Sequence, residues 1–277
     1  MTTMHQRTMT RIFTYVFLAL SAVLVVFPIW WIFATSLETS TRAYSFPGAL
    51  LPQGVVHNYV AAWSLAPWLR FLVNSLGMGL VTTLLALLTS TLAAYSIVFL
   101  PNRITKYLLA LILSTMMIPF YSIIVPDYLL IRDLNWLNTY TAQIVPFAAN
   151  GFAVFMLMQF MRSLPKELWD AGRIDGVTPW RYLWKIVVPN LMPALATVSI
   201  YLFLLSWNAF LWPLIVTNGP QVQPIQVGLA NFLSTANGTD WTVLSAAAAI
   251  TTVPVLIFYV IAQHKIVESV SRTGIKG

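Results

Sequence analysis

The residues most able to do chemistry stand in one block, 167–189, which reads ELWDAGRIDGVTPWRYLWKIVVP. It gathers Glu167, Asp170, Arg173, Asp175, Arg181 and Lys185 in a chain that is only 8% charged. Local signals shape the block. Pro165 suits a first helical turn, and Glu167 and Asp170 then lie near the helix's positive end, where acids are favoured. Gly176 follows about three turns later, as a glycine just past a helix end would. Thr178 and Pro179 make an N-cap and first-turn pair. A second helix runs through Trp180, Leu183, Trp184 and Val187 until Pro189 ends or kinks it. The spacing predicts two short helices hinged at Gly176. Leu168, Ala171 and Asp175 share one face, and Ala171 and Gly172 keep that helix slim enough to enter a groove on another protein. The competing reading is an amphipathic helix on a lipid surface. The mixed charge argues against an anionic-lipid binder.

A second set is polar but uncharged and lies inside apolar runs: Asn74, Thr82, Thr83, Thr89, Ser90 and Thr91, then Asn150, then Ser199, Tyr201, Ser206 and Asn208, then Thr251 and Thr252. Such groups either bond helix to helix, with Gly77 and Gly79 allowing close packing, or line a path for a neutral hydroxylated solute. Asn150, Ser206 and Asn208 are the pathway candidates. Trp30, Trp31, Trp212 and Trp241 fall near the outer ends of these runs, as an interfacial belt would. Trp207 lies deeper, where helix packing is the plainer account.

Other chemistries recede. With no Cys, disulfides and thiolate sites are excluded. His5, His57 and His264 lie outside or at the edge of the apolar runs, so neither a histidine metal site nor a nucleophile–base pair is expected at membrane depth. No catalytic or metal residue is assigned. All eight acids lie outside the runs as well, which argues against proton-driven transport and weakens sodium coupling.

The elements that must carry these residues follow from composition. The chain has 277 residues, 58% of them hydrophobic, and a mean hydropathy of +0.77. A soluble domain is about a quarter charged. Crossing a bilayer takes about 20 apolar residues, and six stretches qualify: 12–35, 71–99, 107–125, 141–161, 191–217 and 243–263. The first is too long for the apolar core of a signal peptide, usually about 7–15 residues, and is expected to remain as a spanning helix. With six crossings both termini share a side. That side holds 12 of the 15 Lys and Arg, whereas Arg42, Arg70 and Arg132 lie opposite. Positive-inside bias places both termini in the cytoplasm. The net charge of +7 is thereby explained without nucleic acid.

With these elements placed, the polar block resembles the EAA loop of binding-protein-dependent ABC importer permeases. That pattern reads E-A-A, three residues, G, nine residues, I-x-L-P. Here Asp170-Ala171-Gly172 precedes Gly176 at the same spacing, and Ile186-Val187-Val188-Pro189 closes it. Asp for Glu, Gly for the second Ala and Val for Leu are the departures. The lead-in Pro165-Lys166-Glu167-Leu168, the run SWNAFLWPL at 206–214, Asn74-Ser75 and Ala94-Tyr95 in the second span, and the tail Gly274-Ile275-Lys276-Gly277 are similar to the smaller permease subunit of maltose and glycerol 3-phosphate importers.

The resemblance implies an all-α integral membrane protein with the six-helix type I (MetI-like) importer fold. The parts would be a cytoplasmic N-terminus at 1–11, a first transmembrane helix at 12–35 and a periplasmic loop at 36–70. A five-helix permease core at 71–264 with its EAA loop at 162–190 would follow, then a cytoplasmic tail at 265–277, in a bacterial inner membrane. It implies as partners a second homologous permease, two copies of a cytoplasmic ABC ATPase and an extracytoplasmic solute-binding protein that the outer loop 218–240 would meet. Glu167, Asp170, Ala171, Gly172, Asp175, Gly176, Ile186, Pro189 and Lys276 would couple to the ATPase, Asp170 through a basic residue there. No cofactor is expected on this chain. It has no G-x-x-x-x-G-K-[ST] phosphate loop, so ATP and magnesium would sit on the partner. The solute would be a sugar, oligosaccharide or glycerol 3-phosphate. The alternative is a self-sufficient secondary carrier or channel, or, further off, a membrane assembly factor.

Overall fold

The computed structural model describes residues 2–43, 51–235 and 240–273. Fifteen α-helices follow one another in the described chain, and no strand appears among its residues. They are α1 (Thr2–Ser36), α2 (Ser40–Ala43), α3 (His57–Leu65), α4 (Trp68–Phe99), α5 (Arg103–Thr115), α6 (Phe120–Asp133), α7 (Tyr140–Ile144) and α8 (Gly151–Arg162). Then come α9 (Lys166–Ile174), α10 (Pro179–Tyr182), α11 (Val188–Asn190), α12 (Met192–Trp207), α13 (Leu211–Val216), α14 (Ile225–Thr235) and α15 (Trp241–Thr273).

Six membrane crossings are present only when bent helices are counted as pairs. Three stretches are long and apolar enough alone: Arg11–Ser36, Trp68–Phe99 and Trp241–Val260. The other three are broken, with bends of 103° between α5 and α6, 40° between α7 and α8, and 80° between Pro179–Asn190 and α12. The unbroken runs expected at 107–125, 141–161 and 191–217 are thus corrected. Proline lies at each of these three bends, whereas the run 191–217 is also interrupted at 208–210, between α12 and α13, where Asn208, Ala209 and Phe210 stand. Pro119 caps α6 after an interruption at 116–119, Pro146 lies in the 3-10 turn Val145–Phe147, and Pro189 and Pro193 flank Leu191. Proline removes a backbone donor and clashes with the carbonyl four residues back.

Two compact units divide the chain: Met1–Pro67 with Leu229–Val255, and Trp68–Gly228 with Leu256–Gly277. In the first, α1 has an apolar stretch with no buried residue, as lipid contact requires. After it, Asn58 donates to the carbonyls of Ser36 and Glu38 (2.9 and 2.8 Å), and the Ser36 and Tyr59 hydroxyls lie 2.7 Å apart. Asp240 opens α15. It accepts from the Thr242 amide and hydroxyl and from Ser40 (3.0, 2.7 and 2.9 Å). Burial alone would raise the Asp240 pKa, but these hydrogen bonds together hold it below the usual carboxylate value.

In the second unit α4 is the axis. Ala86, Ala94 and Ala153 are fully buried in one core with Leu157, Met158 and Met161, so small residues alternate with large ones where α4 and α8 pack. In a membrane such a fit matters, because van der Waals packing and hydrogen bonds hold helices together where apolar burial cannot. Gly79 lies against the Phe203 ring of α12, where an added Cβ would come within 2.8 Å of it. Gly77 has nothing within 4 Å, so the sequence reading of it as a packing residue is corrected.

Near its start α4 grips the segment before α14. The Asn74 amide donates to the carbonyls of Gln221 and Gln223 (3.1 and 2.9 Å) and accepts from the Tyr140 hydroxyl (2.8 Å). The Ser75 hydroxyl accepts the Ile225 N–H at 2.8 Å. Replacing Asn74 with Leu should destabilise the protein by about 1–3 kcal/mol for each buried carbonyl left without a donor, while Tyr140→Phe, which removes fewer of these bonds, should cost less. The midpoint of thermal unfolding in detergent is the measurement. Equal midpoints for wild type and Asn74→Leu would contradict this account of the grip.

Candidate functional site

The 162–190 loop folds as two short helices turned back on each other. α9 ends in a glycine stop: the Gly176 N–H donates to Arg173 (3.2 Å) and the Val177 N–H to Gly172 (2.9 Å). Gly176 itself has φ +68°, a conformation that is inexpensive only without a Cβ. Two residues on, the Thr178 hydroxyl accepts the Arg181 N–H at 3.4 Å and Pro179 opens α10. Pro165 takes the capping position of α9 and Lys166 its first turn. The second helix is not continuous. A π turn over Leu183–Val187 separates α10 from α11. It falls just before Pro189, where the missing N–H breaks the regular ladder.

An aromatic seat fixes this elbow to the end of α4. Trp169 packs on Phe99 and Tyr182, with ring centroids 5.3 and 4.7 Å apart. Phe99 also meets Tyr182 edge-on at 5.5 Å, and the Tyr95 hydroxyl donates to the Pro179 carbonyl at 2.8 Å. Gly172 completes the fit: a Cβ there would stand 3.0 Å from the Tyr182 ring. Gly172 therefore turns inward and is buried, so of the two small residues expected to keep the helix slim only Ala171 is exposed. Ile186 is half-buried beside it.

The opposite face is open. Glu167, Asp170, Ala171, Asp175, Gly176 and Pro189 are exposed. Among the described residues no ion pair engages Glu167, Asp170 or Asp175. Ile174 is 86% exposed and Trp180 64% exposed, and Trp180 meets Trp184 edge-on at 5.6 Å. Sequence reasoning missed Ile174. Its signal was an apolar residue one turn after Asp170 in a helix whose inward face was already supplied by Trp169. Lys276 and the 274–277 tail lie outside the described residues, as do 236–239 of the outer loop.

The uncharged polar set is dispersed by the helix breaks. Asn150 is not mid-helix: its side chain accepts the Ala153 N–H at 2.9 Å and caps α8. It also borders two cavities. One, of about 260 Å³, is lined by residues including Thr82, Gln143, Asn150, Ser206 and Trp212. The other, of about 550 Å³, adjoins it through Phe120, Phe147, Asn150 and Trp212 and reaches Asp127. Asn208 lines neither; its amide donates back to Leu204 at 2.9 Å. Trp212 is 3% exposed and belongs to the cavity wall, which corrects its assignment to the interfacial belt. Its indole donates to the Ala142 carbonyl at 2.9 Å.

Known proteins resemble this chain in sequence and in fold. Residues 86–272 match the profile of the family described as binding-protein-dependent transport system inner membrane component. The sulfoquinovosyl glycerol transport system permease protein SmoH of Agrobacterium fabrum is 35% identical over 94% of this chain and 93% of its own. The arabinooligosaccharides transport system permease protein AraQ of Halalkalibacterium halodurans is 36% identical over 74% of this chain and 73% of its own. The sn-glycerol-3-phosphate transport system permease protein UgpE of Brucella abortus is 30% identical over 97% of this chain and 99% of its own. A chain of a bacterial ABC transporter involved in importing the acidic polysaccharide alginate superposes with a TM-score of 0.81 at 23% identity, covering 91% of this chain and 95% of that one.

The seat makes a mechanical prediction. Gly172→Val should force the Tyr182 ring away and loosen the elbow, and Phe99→Ala should do so from the other side. Hydrogen exchange of the 166–182 amides should accelerate at least tenfold, the effect of losing about 1.4 kcal/mol of local protection, while the α4 amides hold. Unchanged exchange in both variants would show that the aromatic contacts do not fix the loop.

Proposed function

The chain belongs to the family of binding-protein-dependent transport system inner membrane components, and on that premise we propose that it is a permease subunit of an ATP-driven importer, forming half of the pathway for a sugar, oligosaccharide or glycerol 3-phosphate. It is a multi-pass inner-membrane protein. Both termini and the 162–190 loop lie on the cytoplasmic side in this reading, following the Lys and Arg distribution. The chain itself catalyses nothing. ATP and magnesium sit on two copies of a cytoplasmic ATPase, a second permease completes the pathway, and an extracytoplasmic binding protein delivers the solute.

One observation carries the coupling role: the elbow is anchored on one face and unengaged on the other. Its inner residues, Trp169, Gly172 and Tyr182, are locked to α4, while Asp170 and Ile174 are exposed and Asp170 makes no ion pair among the described residues. An apolar residue flanked by unpaired acids outside the membrane suits a cleft on another protein, where Asp170 meets a basic residue and Ile174 is buried. Glu167 and Asp175 reinforce the acidic rim, Gly176 sets the turn, and Ile186 and Pro189 carry the loop back toward α12. Lys276 would add a contact from the tail. A self-sufficient carrier has no use for such a projection.

Membrane vesicles provide the test. The chain alone should move no solute, and uptake should appear when the second permease, the ATPase, the binding protein and ATP are supplied. Asp170→Lys should insert normally and lower uptake by at least tenfold, since disrupting a buried interfacial charge pair costs about 2–5 kcal/mol. Ile174→Asp should do the same. Solute uptake by the chain alone, or normal uptake by Asp170→Lys, would defeat the proposal.

A further inference from the structure

We infer that the cleft where the ends of α4, α5 and α8 meet binds the phosphodiester headgroup of an anionic membrane phospholipid, with Arg103, Lys106 and Arg162 as the groups that hold it. The inference goes beyond the import function proposed above and takes from it only the cytoplasmic placement of this end of the helices.

The cleft encloses about 450 Å³, and Ile97 and Leu109 give it an apolar wall. Asn102 and Thr105, on its rim, are spent on each other. The Asn102 side chain accepts the Thr105 N–H and the Thr105 hydroxyl accepts the Asn102 N–H, both at 2.9 Å. That reciprocal cap fixes the turn from α4 into α5. Arg103 stands in the first turn of α5, and Lys106 lies three residues on, a spacing that sets the two side by side. Arg162, the last residue of α8, comes to the same cleft from another helix. No Asp or Glu lines the cleft, and among the described residues no ion pair engages any of the three cations.

Positive-inside bias asks for cations on this side, but not for three of them around one acid-free hollow. Like charges gathered beside an apolar wall repel, and an anion placed among them reverses the sign of the interaction. Guanidinium forks match phosphate oxygens, and the positive end of α5 adds to the same field. A lipid rather than free phosphate is the carrier, because an open apolar lane leads from the cleft into the membrane. Ile104, Tyr107 and Leu111 share one face of α5 and are 76%, 74% and 63% exposed. Acyl chains lie along that lane while the headgroup sits at the helix ends, as in basic pockets between crossing helices generally. A choline or ethanolamine headgroup would bring a cation of its own into the cluster, so a net-anionic headgroup is selected. Only Ser163, Leu164 and Pro165 separate Arg162 from α9, so the bound lipid braces the base of the elbow.

Hydrogen exchange tests this directly. The full chain is placed in nanodiscs of dioleoylphosphatidylcholine, alone or with a third of the lipid replaced by dioleoylphosphatidylglycerol. The anionic lipid should slow exchange of the amides in 103–109 and 158–164 about fivefold once it stands at about four times its half-saturation, while the α12 amides hold. Inorganic phosphate added to the phosphatidylcholine discs should slow nothing. Arg103→Gln, Lys106→Gln and Arg162→Gln combined should abolish the slowing, and Arg103→Lys with Arg162→Lys, which keeps the charge, should retain most of it. Should the neutral variant fail to insert, the comparison of lipids on the wild type and on the lysine variant still decides. Equal exchange in the two kinds of disc would overturn the inference, as would equal slowing by inorganic phosphate or slowing that persists in the neutral variant. Slowing produced only by adding the second permease and the ATPase, whatever the lipid, would assign the cleft to a protein partner and overturn it too. Any of these results with normal ATP-driven uptake would leave the import reading standing, whereas lipid-specific slowing without uptake by the complete set would remove that reading and keep the site.

Discussion

Everything in the second compact unit hangs on how α4 holds irregular backbone at both of its ends. Asn74 and Ser75 satisfy four backbone groups of 220–225, and at the other end Tyr95 adds a bond to the Pro179 carbonyl, which already accepts the Leu183 N–H within the elbow. Hydrocarbon offers no water to a stray carbonyl or N–H, so non-helical backbone near a membrane persists only where protein groups complete it. The helix between those grips has 32 residues and no proline. It is unbroken where its partners bend, and it gives two remote segments a common reference.

The bends locate the polar cavities. Where α5 gives way to α6, α7 to α8 and α12 to α13, side chains that a straight helix would point at lipid or a neighbour instead border open space. Phe120, Phe147, Asn150 and Trp212 each lie at or beside such a break and border both cavities. Discontinuous helices serve transporters in this way generally, since only a broken helix can turn polar groups toward a solute at membrane depth. The same breaks explain how a chain without a charged residue in its apolar runs still presents hydrogen-bonding atoms inside them.

Much of this was legible in the sequence wherever the signal was local. Gly176 as a stop and Thr178–Pro179 as a start need only their immediate neighbours, and the structure has both. Six crossings and the family followed from hydropathy and the spacing of Asp170, Gly176 and Pro189. The breaks were not legible, because an apolar window of 20 residues reads through Pro119 and Pro146. Asn150 accordingly passed for a mid-helix residue. Gln143 and Trp212 escaped for another reason. Their roles depend on Val222 and Ala142, which stand 79 and 70 residues away in the chain. The inward turn of Gly172 was not legible, because nothing in its neighbourhood announces the Tyr182 ring.

That last pair carries a consequence for how the sequence can drift. A hydrogen atom at 172 and a phenol at 182 divide one fixed volume, so neither site varies freely. An alanine at 172, as the related pattern has there, would bring its methyl group within 3.0 Å of the phenol, so the ring would have to shift by a few tenths of an ångström or be smaller. The order of the two changes matters, because a smaller ring first leaves a cavity, whereas the methyl group first crowds the phenol.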